Sequence, residues 1–259
     1  MKDLNNYITE RLKLTSKTKL NHYTCQPKSK SELRKILEER LYKDPDADLN
    51  DIDVSEITNM SSLFEDLYPH NIKIDQWNVS NVTSMGSMFW YCEKFNADLN
   101  NWNVSNVEDM SYMFDGCKNF DCDLSNWNVD NLQLIEYMFY GCDKFKGTGL
   151  KNWHPTKIDT LECTFSECYE FNGDLSNWDV SNVKNMNEAF KRCEVFEGKG
   201  LEKWNVTKAI AVQQTFAYCY KFHADLNGWK PTELFPRNKA HFTFQDCTSL
   251  SQLPKWYKG

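Results

Sequence analysis

Residues 77–114 read WNVSNVTSMGSMFWYCEKFNADLNNWNVSNVEDMSYMF, and this stretch decides the fold because its second part repeats its first. The same text returns along most of the 259 residues of the chain. A fixed period in the twenties predicts a solenoid, in which each unit buries its apolar face against its neighbours. The tryptophans that mark the units are 25 or 26 residues apart: Trp77, Trp102, Trp127, Trp153, Trp178, Trp204 and Trp229.

Phenylalanine and cysteine follow the same period. In the first six of these units a Phe comes 12 residues after the Trp and a Cys 15 residues after it, while the last unit has three additional residues. Residues 52–76 form a degenerate first copy, with Ile52, Phe64 and Leu67 in the places of Trp, Phe and Cys. The sequence therefore predicts eight units. Their cysteines, called the ladder cysteines below, are Cys92, Cys117, Cys142, Cys168, Cys193, Cys219 and Cys247.

Each unit is predicted to contain a short helix and a short strand. In the unit of Trp77, the apolar residues Val82, Met85, Met88, Phe89 and Cys92 have the spacing of one face of a helix of about three turns. The stretch from Phe95 to Leu99 is expected to be a strand of about five residues in a parallel ladder. The expected helix N-caps are Ser55, Ser80, Ser105, Asp130, Thr156, Ser181, Thr207 and Thr232.

Two units are one residue longer than the others. Their additional residue falls in the stretches KFKGTGLKNW and VFEGKGLEKW, which both contain Gly-x-Gly. Glycine adopts backbone conformations that other residues avoid, so the chain is expected to bulge at these two places.

The recurring pattern W-x-V-S-N-V-x-x-M-x-x-M-F-x-x-C resembles the BspA-type leucine-rich repeat, which occurs in bacterial surface proteins and in many gut-bacterium and phage genomes. The resemblance covers about residues 52–256. It implies a right-handed leucine-rich-repeat solenoid of the α/β class that binds proteins, often in adhesion, and a gut-bacterium or phage origin. The chain departs from the pattern where Pro155 and Pro231 replace Val, and where Lys157 and Lys208 replace Asn.

A helical cap is predicted before the repeats, over residues 21–50, with the solenoid over residues 51–259. Ser29 and Glu32 have the spacing of a capping box. The apolar spacing that follows predicts an amphipathic helix that ends near Asp44 and Pro45. Such a helix would cover the open apolar face of the first unit, as every solenoid requires. Its face is formed by Leu33, Ile36, Leu37, Arg40 and Leu41.

Residues 1–20 are predicted to form a separate amphipathic leader. Leu4, Tyr7, Ile8 and Leu12 have helical spacing, and this short helix weakly resembles the leader seen on many proteins of gut-bacterium phages. It is either a docking helix for a partner or particle, or a helix that packs on the cap. The sequence leaves both alternatives open.

Charge and hydropathy exclude several function classes. Residues 1–43 carry eleven basic and five acidic side chains, whereas the remainder carries 19 basic and 32 acidic ones. An acidic body disfavours nucleic-acid binding, which requires a basic surface. A membrane span of about 18 apolar residues is absent from the sequence, and the N-terminus lacks a signal-peptide pattern. We therefore expect a cytoplasmic or virion-associated protein with reduced thiols.

The candidate chemical groups favour structural roles. The ladder cysteines share their phase with Met and Phe, which predicts burial rather than metal binding or redox chemistry. Asp98, Asp123, Asp174 and Asp225 share another phase; each is expected to order its own turn, with a shared divalent cation as the alternative. Because catalytic motifs are absent, the sequence predicts a non-enzymatic protein with neither cofactor nor metal.

One group of aromatic residues is predicted to be a binding surface. These residues come 10, 13 or 14 positions after a Trp, opposite the buried face of the expected helix. Clustered exposed aromatics favour a protein–protein interaction module, although the same side chains could instead cover gaps in the packing. The alternative function is a structural or decorating component of a phage or cell-surface assembly, docked through the leader; the oligomeric state stays open. We call Trp90, Tyr91, Tyr112, Tyr137 and Tyr140 the aromatic face.

Overall fold

The computed structural model describes residues 23–231 and 240–258. In these ranges the helices are α1, Lys30–Lys43, and two short 3-10 helices, Leu150–Asn152 and Leu201–Lys203. None of them has the length and apolar character that crossing a membrane requires. The repeating units stack in register, and single parallel β-bridges link residues 25 to 27 positions apart. The leader residues Leu4, Tyr7, Ile8 and Leu12 lie outside the described residues.

Helix α1 lies where the sequence predicts the cap. The backbone N–H of Glu32 donates to Ser29 Oγ at 3.2 Å, which makes Ser29 the N-cap. The Glu32 carboxylate accepts the N–H of Lys28 at 2.7 Å rather than the N–H of Ser29. Leu33 and Leu37 are fully buried, and they belong to the same continuous core as the repeats. The helix therefore closes the apolar end of the stack.

The prediction of an α-helix within each unit is wrong. In the unit of Trp77 this stretch is a series of tight turns, in which the N–H of Met88 donates to the Met85 carbonyl at 3.1 Å. The next N–H, on Phe89, leaves its own unit and donates to the Met113 carbonyl at 2.9 Å. Alternate backbone groups thus bond within the turn and to the following unit. A helix would direct all of these N–H groups back into its own unit.

The cause is a left-handed backbone conformation at two phases of every unit. Ser87 has φ 55° and Tyr91 has φ 54°, and each is the third residue of a four-residue turn, as in a type II turn. A right-handed helix cannot continue through such residues. The same conformation recurs 10 and 14 residues after Ile52 and after the other Trp positions, and at the two corresponding places of the last unit, which is three residues longer. These residues are Ser62, Asp66, Tyr112, Gly116, Tyr137, Gly141, Cys163, Glu167, Glu188, Arg192, Gln214, Tyr218, Phe242 and Asp246.

The predicted N-cap residues that the structure describes consequently have no helix to cap, and Thr232 lies outside the described residues. The N–H of Ser80 instead donates to Asn78 Oδ1 at 3.2 Å, an Asx turn within the unit. The Ser80 carbonyl accepts from Asn106 Nδ2 of the next unit at 2.7 Å. Where Lys208 replaces this asparagine, its Nζ donates to Asn182 Oδ1 at 2.7 Å. The polar residues near the Trp therefore tie neighbouring units together, and this role explains the lysine substitutions.

The parallel pairing also differs in place from the expectation. Ser84, seven residues after Trp77, bridges to Asn59 on one side and to Asp109 on the other. The strand expected from Phe95 to Leu99 does not form, although both of these side chains are fully buried. The alternation of buried and exposed residues there is that of an extended chain.

The core consists of stacked tryptophans and phenylalanines. The indole Nε1 of Trp127 donates to the Leu99 carbonyl, 28 residues earlier, at 2.9 Å. Trp256 continues this series, with its Nε1 2.9 Å from the Leu226 carbonyl and its ring 6.1 Å from that of Trp229. Trp256 comes 27 residues after Trp229, so the spacing of 25 or 26 residues does not predict that it belongs to the repeat. The same indole-to-carbonyl bond is made by Trp77, Trp102, Trp153, Trp178, Trp204 and Trp229.

The two Gly-x-Gly stretches form the expected bulges. Gly147 has φ 80° and Gly149 has φ 90°. A Cβ atom on Gly149 would lie 2.3 Å from the backbone nitrogen of Ser125 in the preceding unit. Glycine is therefore needed here both for its conformation and for the close approach of two backbones.

We expect Gly149→Ala to lower the free energy of unfolding by about 1–3 kcal/mol, because the added methyl group collides with backbone at a positive φ. Gly228→Ala is the matched control, since a Cβ there meets no atom closer than 3.9 Å. Denaturant unfolding of both variants checks the expectation. Equal stability of the two variants would contradict this account of the bulge.

Candidate partner-binding face

The ladder cysteines are structural. Their thiols lie in the core, and Cys117 Sγ donates to the Phe89 carbonyl one unit earlier at 3.0 Å. Burial raises the pKa of Cys92 to about 12. In the part of the chain that the structure describes, every cysteine is free, and no group of three His, Cys, Asp or Glu side chains could hold a metal ion.

The repeated aspartates order their own turns. Asp98 Oδ1 accepts the N–H of Asn100 at 3.0 Å, and Asp123 Oδ1 accepts that of Ser125 at 2.9 Å. Asp225 makes the same bond to Asn227, which lowers the pKa of its carboxyl. These contacts account for the shared phase of the aspartates through turn geometry.

The structure places the aromatic face on the turns and divides it into two groups. The rings of Trp90 and Tyr91 meet edge to face, with centroids 5.1 Å apart. Tyr112 stacks on Tyr137 at 4.7 Å, and Tyr137 contacts Tyr140 at 5.7 Å. Tyr218, which has the same phase as Tyr91, belongs to neither group.

The two groups differ in exposure. Trp90 is 39% exposed and Tyr91 is 51% exposed, whereas the three tyrosines of the other group are half-buried. The helical wheel predicted that all five rings belong to one exposed patch. The three tyrosines are less exposed because they cover one another and the neighbouring turns. This part of the aromatic face therefore agrees with the alternative that the side chains cover gaps in the packing.

Asp115 joins the two groups, and sequence reasoning missed it. Its Oδ2 accepts the indole N–H of Trp90 at 3.1 Å. The residue is only 6% exposed, and its Oδ1 has no hydrogen-bond partner among the described residues. Burial raises the pKa of this carboxyl to about 6, although the Trp90 bond lowers it. Asp115 follows its Trp by 13 residues, as Trp90 and Tyr140 do, and this shared phase could have revealed it.

Carboxylates surround the tyrosine group. Burial and the charge of Glu167 raise the pKa of Tyr140 to about 12. Burial and the charge of Glu136 also raise the pKa of Tyr112. One buried oxygen of Glu136, Oε2, has no partner among the described residues. The face is therefore aromatic and negatively charged.

A cavity of about 680 Å³ opens beside the first group, between the first and second units. Trp90 and Tyr91 form one side of it, and Tyr68, a further residue that sequence reasoning missed, is 60% exposed on the other. The remaining lining residues are Asp66, His70, Glu93 and Lys94.

Comparison with known proteins identifies a repeat family. A family model described as "Mycoplasma protein of unknown function, DUF285" matches residues 35–153 and, in a second overlapping match, residues 135–256. The two matches together extend from helix α1 through the last unit. Curated proteins and solved structures give no significant match.

We expect the ladder thiols to resist alkylation in the folded protein, because burial keeps them protonated and inaccessible. Half-buried Cys25 should react first with iodoacetamide at pH 8, as followed by mass spectrometry. All ladder cysteines should react once the chain is unfolded in guanidinium chloride. Rapid labelling of most of them without denaturant would contradict the buried ladder.

We expect Asp115→Asn to be more stable than the wild type at pH 8, with a difference that shrinks as the pH falls below 6. The folded state raises the pKa of Asp115 from 3.8 to about 6, so its protonation stabilises the fold, and this contribution is lost as the pH rises through 6. Thermal unfolding between pH 4 and pH 8 measures the difference.

Asp179→Asn is the control, because the Ser181 N–H lowers the pKa of Asp179. It should therefore be less stable than the wild type by a nearly constant amount between pH 4 and pH 8, and this difference should shrink only below pH 3.8, as the Asp179 carboxyl is protonated. A pH-independent effect of Asp115→Asn would refute the proposed burial of a charged group.

Proposed function

The chain belongs to this family of repeat proteins, and we propose that it is a non-enzymatic protein-binding module. The exposed pair of Trp90 and Tyr91 carries the proposal. Trp and Tyr are the residues most often found as energetic anchors of protein interfaces. Here they stand on turns that a continuous core supports from beneath.

The stacked core makes this surface rigid before any partner arrives. Stacked phenylalanines such as Phe89 and Phe114, with ring centroids 5.7 Å apart, lie directly beneath the turns that carry the aromatic face. A preorganised surface loses little conformational entropy on binding, so more of its contact energy contributes to affinity. The two aromatic groups and Asp115 together span three consecutive units.

We further infer that the stack is a right-handed solenoid of the BspA type, in which turns replace the helix of the leucine-rich unit. The one-unit register of the β-bridges and the shared ladders of Trp, Phe and Cys support this inference. A solenoid would present the aromatic face as a stripe along one of its sides.

The double variant Trp90→Ala/Tyr140→Ala tests the binding function, with Tyr42→Ala as its matched control. Tyr42 is 93% exposed on helix α1, so its truncation removes an exposed aromatic side chain away from the aromatic face. We expect the double variant to lose at least about 2 kcal/mol of binding free energy for partners that the wild type captures from a bacterial cell lysate.

Mass spectrometry identifies the captured proteins, and calorimetry with the purified partner measures the affinity. Unchanged affinity of the double variant would contradict the proposal that the aromatic face binds the partner. Loss of capture on deletion of residues 1–20, with the double variant unaffected, would favour the docked structural component instead. Far-UV circular dichroism of each variant verifies that the fold is intact.

A further inference from the structure

We propose that the cavity between the first two units binds a cationic side chain, lysine or arginine, from an extended segment of the partner. This inference rests on the proposed protein-binding function and specifies the chemistry that the partner must bring. The walls of the cavity, its charge and a break in the repeat support the proposal.

Three aromatic rings form the walls. The planes of Trp90 and Tyr91 meet at 87°, so their rings make a corner rather than a flat patch. Tyr68 of the first unit supplies the third ring. A cation held against ring faces is attracted by their negative electrostatic potential, most strongly by that of tryptophan.

Two of these rings are held in place from below. The Asp115 carboxylate accepts the indole N–H of Trp90 and fixes the orientation of that ring. Tyr91 packs over Gly116, where a Cβ would come within 3.2 Å of its ring. Asp115 is therefore a positioning residue for the cavity, and its carboxylate lies at the N–H edge of the indole.

The charges that line the cavity suit a cation. Asp66, whose carboxylate accepts the hydroxyl of Tyr68 at 3.3 Å, lines the cavity. Glu93 also lines it, while forming an ion pair of 2.7 Å with Lys118 of the next unit. Lys94 is the opposing charge in the lining, and it also lines a neighbouring polar depression. A carboxylate pairs with ammonium or guanidinium through charge-assisted hydrogen bonds.

The third wall exists because the first unit breaks the repeat. Tyr68 has φ 48°, and it is the one non-glycine residue with positive φ in the described ranges that falls outside the two repeated turn phases. It also precedes Pro69, a position that normally favours an extended backbone. Stacking therefore does not require this conformation, and residues held in such conformations cluster at binding sites.

The size of the cavity argues for a peptide segment. Its 680 Å³ lies within the range of small-molecule and peptide sites and exceeds the volume of one side chain. A lysine or arginine would occupy the aromatic corner, and its neighbouring residues would fill the remainder beside Tyr68.

Nuclear magnetic resonance of the full chain tests the inference with four peptides, acetyl-Gly-Gly-X-Gly-Gly-amide, where X is lysine, arginine, norleucine or glutamate. The probe is the indole N–H signal of Trp90, assigned by its loss in Trp90→Phe. We expect the lysine and arginine peptides to shift this signal, and the norleucine and glutamate peptides to leave it in place. The buried indole of Trp102 serves as the internal control.

Two variants with opposite effects sharpen the test. Tyr91→Leu removes one wall and should raise the Kd of the lysine peptide about two- to fivefold. Lys94→Glu replaces the opposing charge and should lower that Kd by a similar factor, about two- to fivefold. A shift with the glutamate peptide would overturn the inference, as would the absence of any shift with the lysine and arginine peptides.

These outcomes separate the inference from the proposed function. If cationic peptides fail to bind but Trp90→Ala/Tyr140→Ala still abolishes partner binding, the aromatic face stands and its cationic ligand is wrong. If the lysine and arginine peptides bind in the cavity while the double variant keeps its partners, the cation site stands and the proposed function of the face fails.

Discussion

The indole-to-carbonyl hydrogen bond between successive units is the constraint on which the rest of the structure depends. Trp127 Nε1 reaches the Leu99 carbonyl 28 residues earlier, and seven further tryptophans make the same bond. A buried carbonyl without a partner costs about 1–3 kcal/mol, so every unit must rise by the same step to satisfy it. The thiol bond from Cys117 to the Phe89 carbonyl imposes the same step on the other side of the core. Regular stacking is thus enforced by polar groups as well as by apolar contact.

Much of this arrangement could be predicted from the sequence, because the relevant residues recur at a fixed spacing. Burial of the ladder cysteines, the capping of α1 by Ser29 and the bulge at Gly149 all follow from residue type and position. The helix within the unit was wrong because the spacing of Met85, Met88, Phe89 and Cys92 suits a helical face as well as a run of turns. Two glycines distinguish a run of turns from a helix. Gly116 and Gly141 occupy a turn phase at which other units have non-glycine residues with positive φ.

The candidate site was less predictable, because it depends on contacts between units and on a residue that does not repeat. The phase of Trp90 and Tyr140 was visible, but the contact that links Trp90 to Asp115 runs from one unit to the next. A wheel drawn for a single unit cannot show such a contact. Tyr68 could not be predicted for the opposite reason. It has no counterpart in the other units, so the repeat spacing gives no information about its position. Sequence periodicity therefore reveals the scaffold best and the individual features of its surface least.

That division has a physical basis, which also explains where a binding site can arise in such a stack. Residues in the core must repeat, because each one packs against its own copy in the adjacent units. Residues at one turn phase differ in type from unit to unit, as Trp90, Asp115 and Tyr140 do. Because the backbone beneath them is the same in each unit, their different side chains meet at a fixed spacing set by the core. The core thus fixes the relative positions of the indole, the carboxylate and the phenol in this cluster. The residue types of the cluster need not repeat from unit to unit, as those of the core must.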